Sequence, residues 1–468
     1  MQFFGFVLVA VSRAVGSVMP DCPKREENPM QKWTLLAAGA AIGVLAGIAP
    51  ALADMSIEYN ESFAALIEGG VKNFEAANPG TKINLIKLPS DGYQDRVALD
   101  LSSGSAPDLI MVDSFLVAEY AGTGYLLPLD DMLKGWDQFQ YYSKGLLDVA
   151  SYNGKVYALP TDTDVRMLWY NKADFAKAGI ADPWAPKSWD DVKAAAQKLK
   201  DAGIQDPWLI PAGTKQEEAA TMQGFYMALL GAGNPAGDTN RLRVRDQDKW
   251  IGDSPAIRKT LQLYHDVYVD KKLGVGSDNY TLDFASTNKA LIDGKIGILA
   301  SGSWQNSCLW DCNGVNVPSQ ADRDKIVGWA PWPGNGEAGN KTTTNISGGW
   351  TVAINAKAPD AATAFKVLTA IFDKKNFLDW TVAGHRMAVR SDIASDPAYT
   401  QDPFLAKATE LAKDTTGRDT VPGYAKVSAL VQQATAEILD GKSVDDVVKE
   451  YHDALVDEFG ADKVVTIQ

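Results

Sequence analysis

The chain has 468 residues, 46% of them hydrophobic, and carries 45 Lys and Arg against 59 Asp and Glu, a formal charge of −14. That balance repels phosphate backbones and anionic head groups, so no nucleic-acid or membrane-surface partner is expected. The charges are mixed along the sequence and the apolar content fills a core, which excludes a disordered chain.

Residues 1–29 precede a second start at Met30 and read as an over-extended N-terminus. Residues 30–53 have the order of a secretory signal peptide. Gln31-Lys32 is the cationic start, and Leu35 to Ala49 is an uncharged run too short to span a bilayer comfortably. Ala51 and Ala53 are the small residues a signal peptidase inspects. No Cys follows the run, so a lipid anchor is not expected. Cleavage after Ala53 would place the protein in the periplasm. It leaves 415 residues with 41 basic and 56 acidic side chains, a charge of −15. That length suits two domains.

Met55 to Tyr59 opens as a strand, and Ala64 to Ala77 reads as a helix stopped by Asn78-Pro79-Gly80. Ile83 to Leu88 is the next strand. Leu109 to Val112, between Pro107-Asp108 and Asp113, is an apolar run suited to a strand buried on both faces of a parallel sheet. Ser188-Trp189-Asp190-Asp191 reads as a capping box before Val192, Ala195 and Leu199 at helical spacing. Lys295 to Ala300 is a further buried strand, and Gly334 to Asn345 an exposed loop. Ala361, Ala364, Phe365, Leu368, Ile371 and Phe372 share one helical face. Ser443 to Asp446 caps a last helix carrying Val447, Val448, Tyr451 and Leu455. The alternation predicts an α/β fold.

Cys308 and Cys312 are the cysteines left after cleavage. In an oxidising compartment a local disulfide is the plainest reading. Free thiols or a metal are the alternatives, and a metal would need two further ligands where no His is near. The three histidines, His265, His385 and His452, show no paired ligand spacing, and Gly-x-Ser-x-Gly is missing. Gly334-Asn335-Gly336-Glu337-Ala338-Gly339 has a dinucleotide spacing but neither the strand before it nor the helix after it. No catalytic set, metal or cofactor is expected.

Several blocks, in order, resemble the solute-binding proteins of ABC sugar importers, the maltose-binding-protein-like family. They are Phe74-Glu75 with Asn78-Pro79-Gly80, Ala106-Pro107-Asp108, and Tyr120 through Gly124 to Pro128-Leu129. Asn153-Gly154-Lys155-Val156-Tyr157-Ala158-Leu159-Pro160 running to Leu168-Trp169-Tyr170-Asn171-Lys172 is the most specific. Lys187 to Asp191, Gly302-Ser303-Trp304, Gly348-Gly349-Trp350 and the helix from Gly441 to Leu455 complete the set.

The resemblance implies a two-lobed periplasmic-binding-protein fold with several hinge crossovers and a ligand cleft between the lobes. One lobe would take residues 54–162 and 348–386, the other 163–347 and 387–468. A carbohydrate or polyol would bind in the cleft, and the closed form of a monomer would dock on the permease of an ABC importer. A secreted glycoside-active enzyme and a ligand sensor for a chemoreceptor are the competing readings.

A sugar offers apolar C–H faces and a rim of hydroxyls, so aromatics and carboxylates are the expected contacts. The family commonly places a stacking Trp where Trp304 stands and an acidic contact where Asp164 stands. Asp162, Asp164 and Arg166 share one face of an extended segment. Asp113 ends the buried strand at the end that faces ligands in open α/β sheets, with Ser114 beside it. Tyr59 and Glu61 close the first strand in the same sense, and Tyr93 follows in an Asp-Gly-Tyr loop. Trp350 follows Gly348-Gly349, and Gly349 lets a ligand approach the backbone. Gly384-His385-Arg386-Met387 stands where relatives often show Gly-x-Leu-Pro. The lost Pro with the gained His385 and Arg386 is a departure expected to tune the pocket toward an acidic or otherwise substituted ligand, a surface turn being the alternative. Tyr424 falls where relatives present an aromatic to the cleft.

Overall fold

The computed structural model describes residues 55–233, 241–275, 283–413 and 415–468. The segment read as a signal peptide and its expected cleavage point lie outside them. Nine strands form the two main sheets: β1 Met55–Asn60, β2 Ile83–Leu88, β3 Leu109–Asp113, β4 Ala158–Pro160, β5 Arg166–Asn171, β6 Asp206–Leu209, β7 Ile296–Gly302, β8 Val327–Pro331 and β9 Trp350–Ile354. The first sheet has the order β2-β1-β3-β9-β4 and the second β8-β5-β7-β6.

The run Leu109–Asp113 is buried at every position, as expected, but its sheet is mixed. β3 runs parallel to β1 and antiparallel to β9. Burial on both faces is what the continuous apolar run encodes, and it does not encode the direction of a partner 240 residues away in the chain. Helix α1, Ala64–Ala77, buries Leu66, Ile67, Val71 and Phe74, and Asn78 ends it. At the helix Trp189–Asp201 the capping box is half formed. Ser188 accepts from the Asp191 N–H, while the Asp191 carboxylate accepts from the N–H of Lys187 at 2.8 Å, one residue earlier than the box requires. The stretch Gly334 to Asn345 is exposed at its tip but buried at Gly334, Thr344 and Asn345, where Pro333 bridges Thr343.

The chain passes between the sheets three times. It goes from β4 to β5 through 161–165, returns from β8 to β9 through 332–349, and leaves again after the helix Lys374–Ala383, which packs on α1. The last helices, Tyr424–Leu439 and Val444–Phe459, pack on each other and on Pro255–His265 beside the second sheet.

Register places functional side chains at facing ends of the two sheets. In the first, Trp350 pairs with Asp113, and the N–H of Thr161 donates to the Trp350 carbonyl at 2.8 Å. In the second, Gly302 pairs with Arg166.

Candidate functional site

Between those ends lies a chamber of about 160 Å³ lined from both sheets and all three crossings. Asp113, Asp162, Asp164, Arg166, Trp304, Gly349, Trp350 and Arg386, all expected from the sequence, line it together.

The first two crossings are stitched together by the carboxylates. Asp162 Oδ1 accepts from the Trp350 N–H at 3.2 Å, and Asp164 Oδ1 from the Gly348 N–H at 2.8 Å. Gly349, at φ +140°, lies so close to the Asp162 carbonyl that a Cβ there would sit 2.2 Å from its oxygen. The glycine is therefore required by the crossing itself, whatever approaches from the chamber.

Each carboxylate also holds a buried guanidinium. Arg166 pairs with Asp164 and lies 4.7 Å over the Trp304 ring. Arg386 donates to Asp162 Oδ2 at 3.3 Å and lies over Phe63 at 5.0 Å and Trp380 at 5.5 Å. Trp304 follows β7, and its ring lies against the Cα of Gly302, where a Cβ would meet it at 2.0 Å. Trp350 rests on Phe63 and the edge of Tyr93.

A third guanidinium gave no sequence signal. Arg418, just past the short strand Thr416–Gly417, donates to Asp113 Oδ1 at 2.5 Å and to Glu218 Oε1 at 3.0 Å. Glu218 is buried and also accepts from Tyr424 and Ser428. Met222 and Gln223 reach the chamber from a π-helical stretch, Ala220–Phe225, a form often found at functional sites. Glu217 beside it sits at φ +48°, strained for a residue other than glycine. A positive φ at a Glu was not foreseeable, since helix and loop propensities give no hint of it.

Burial sets the electrostatics. It raises Asp113 to about 6, against the opposing pull of Arg418, and Asp162 to about 6, against that of Arg386. Burial and then Asp95 raise Glu217 to about 7. Desolvation lowers Arg166 and Arg386, whereas Asp113 and Glu218 outweigh desolvation and raise Arg418. The Nε of all three guanidiniums and the Oε1 of Gln223 are buried without a hydrogen-bond partner.

The structure does not bring the remaining expected residues to the chamber. Tyr59 and Tyr93 are core residues, with hydroxyls donating to Glu68 and to the Met111 carbonyl. Tyr424 is buried behind Glu218, and Ser114 accepts from Arg418 at 3.2 Å. Glu61 lines an outer groove of about 680 Å³ that shares Ser62, Ser90, Asp91 and Phe284 with the chamber. His385 points the other way, into a network with Asp402 and the Arg323 guanidinium. Its φ of +46° reverses the chain between Gly384 and Arg386, so adjacent residues serve opposite surroundings. Cys308 and Cys312 are joined as a disulfide in the chamber wall.

A family model for bacterial extracellular solute-binding proteins matches residues 57–376, and the chain belongs to that family. The alpha-glucosides-binding periplasmic protein AglE of Rhizobium meliloti is 26% identical over 78% of this chain and 79% of its own length. The multiple sugar-binding protein of Streptococcus mutans is 24% identical over 72% of this chain and 76% of its own. An ABC transporter solute-binding protein of Thermotoga lettingae, solved with α-D-tagatose, superposes with a TM-score of 0.74 at 23% identity, covering 86% of this chain and 98% of that one. The fold is the two-lobed α/β fold of this family, each main sheet forming the core of one lobe.

Proposed function

We propose that this chain is the periplasmic substrate-binding component of an ABC importer. It binds a small neutral sugar or polyol in the interlobe chamber and, as a closed monomer, presents it to a membrane permease. Similarity to relatives named for α-glucosides and multiple sugars, and a fold shared with a tagatose-bound and a mannitol-bound protein, support the substrate class. The observation that carries the reading is the chamber's chemistry. Trp304 and Trp350 line the chamber together with carboxylates, guanidiniums and the Gln223 side chain. Sugars need such a mix, because every hydroxyl both donates and accepts.

Charge narrows the class. Every guanidinium in the chamber is already matched to a carboxylate, and the lining carries six carboxylates against three guanidiniums. An anionic sugar would enter against that field. The Arg386 position therefore does not select an acid: its charge is spent on Asp162.

Thermal shift of the mature protein against D-tagatose, D-mannitol, maltose and D-galacturonate tests this. A ligand at a hundred times its Kd adds about 2.7 kcal/mol of stability. Tagatose or mannitol should stabilise the protein and galacturonate should not. Stabilisation by galacturonate alone would overturn the neutral-ligand reading, and turnover of an aryl glycoside would overturn the binding-protein reading. Intact-mass measurement of exported protein should give a chain beginning at Asp54.

A further inference from the structure

The disulfide-closed loop that follows Trp304 reaches across the cleft. Helix α1 begins at Ala64, and its N-cap residue, Phe63, provides no side-chain hydrogen bond. The first N–H groups of a helix lack intrahelical partners and need one from elsewhere. Here it comes from the other lobe: Asn313 Oδ1 accepts from the Ala65 N–H at 3.0 Å, while Asn313 Nδ2 donates to the Glu61 carbonyl at 3.2 Å. One amide thus caps a helix 248 residues away in the chain.

The loop is held in shape for this contact. The Cys308–Cys312 bond closes its base, and Asp311 accepts from the Asn313 N–H at 2.8 Å and the Asn316 N–H at 3.2 Å. Two further contacts cross in the same place. Ser307 Oγ donates to the Gly384 carbonyl at 2.7 Å, and Gly314, at φ +77°, lies where a Cβ would strike the Ala383 carbonyl oxygen at 2.4 Å. Arg386 ties the same loop to the first lobe by donating to the Cys312 carbonyl at 3.2 Å and the Ser62 carbonyl at 3.4 Å. Asn313 itself does not line the chamber but the outer groove.

We propose that the loop from Cys308 to Gly314 is a clasp, and that Asn313 is a positioning residue that sets how long the lobes stay closed over a ligand it never touches. The inference rests on the binding reading above. When the lobes part, the Ala65 N–H must turn to water and the Glu61 carbonyl keeps only the Ala64 N–H, so the clasp opposes opening without affecting entry. Its loss should appear in the off-rate, since encounter occurs with the lobes apart.

The test is stopped-flow fluorescence on the mature protein with D-tagatose, D-mannitol and maltose, comparing wild type, Asn313→Ala, Asn313→Asp and the Cys308→Ser/Cys312→Ser pair. With two hydrogen bonds removed, Asn313→Ala should raise koff roughly tenfold, leave kon within about twofold and keep the rank order of the sugars. Asn313→Asp retains the acceptor for Ala65 and should fall between it and wild type. The cysteine pair, which also lines the chamber, should raise koff as Asn313→Ala does. An off-rate within about twofold of wild type, or a lower ligand-free melting temperature with unchanged koff, would overturn the clasp. If wild type binds none of the three sugars, the carbohydrate reading fails by itself. The clasp is then judged by the ligand-free radius of gyration from X-ray scattering: an increase in Asn313→Ala supports it and an unchanged value overturns it.

Discussion

Of the carboxylate–guanidinium pairs that line the chamber, two have their carboxylates two residues apart in the chain and are built for different ends. Asp164 holds Arg166 over Trp304, and Arg166 is the residue two further along the same crossing. Asp162 holds Arg386, which arrives from the third crossing, 224 residues away, and lies over Phe63 and Trp380. The first pair braces a ring: the guanidinium lies over Trp304 and the ring packs against Gly302. The second pair links parts of the molecule, because Arg386 also reaches Ser62 and Cys312. Similar side chains therefore serve as a platform in one case and as a tie in the other. The difference lies in how far apart in sequence the partners are.

The largest expected effect breaks the tie. Arg386→Ala leaves Asp162 buried without its cation and should destabilise the protein by about 3–5 kcal/mol in urea titration, with loss of ligand binding. Arg166→Ala should cost less stability, because Asp164 keeps the Gly348 N–H and no contact between lobes is lost. Equal costs for the two would remove the distinction between platform and tie.

A middle-sized effect sharpens the platform. Covering about 80 Å² of sugar face contributes roughly 2 kcal/mol, so Trp304→Ala should weaken binding by about that amount in isothermal titration while the ligand-free melting temperature changes little. A variant that keeps full affinity would place the stacking surface elsewhere, with Trp350 the next aromatic in the chamber. Asp164→Ala should weaken binding by a comparable amount if a ligand hydroxyl donates to this carboxylate.

The same contrast explains what the sequence could reveal. Asp162, Asp164 and Arg166 were legible because an extended segment puts alternate residues on one side, a local rule. Asp113 was legible because a buried strand's end is marked by the first charge after the apolar run. Arg386 was found through a departure from a family pattern, but its pairing with Asp162, 224 residues away, could not be read from that departure. Arg418 and Glu218 were missed altogether, since the pairings of Arg418 with Asp113 and with Glu218 span 305 and 200 residues and neither residue stands in a recognisable motif. Tyr59, Tyr93 and Tyr424, expected at the site, lie outside the chamber lining. Aromatics at element ends satisfy their hydroxyls inside the core, and sequence alone cannot separate a ring that faces a ligand from one that supports a wall. Strand and helix positions were recovered closely for the same reason that the local carboxylates were, because periodicity and caps are local. The antiparallel return of β9 beside β3 was not.

The smallest effect concerns pH and tests whether the tie is ionic. Burial, opposed by Arg386 and reinforced by Asp164, places the Asp162 carboxyl at about 6. An unfolded Asp titrates near 3.9, so between those values the folded state holds the proton and the unfolded state does not. Stability from this group therefore grows as pH falls from 7 towards 4 and is lost as pH rises through 6. Ligand affinity should move the other way, since a protonated Asp162 no longer holds Arg386 in place. Half of the sites are protonated at pH 6, so affinity there should be about half its value at pH 7.5, falling about tenfold by pH 5. Asp162→Asn should bind weakly with a flat profile over that range. It should also lose the acid-side gain, so that the stability gap between wild type and variant widens from pH 7 to pH 5 in urea titrations. A wild-type affinity that stays constant down to pH 5 would show that Arg386 is held by its aromatic neighbours rather than by the charge on Asp162.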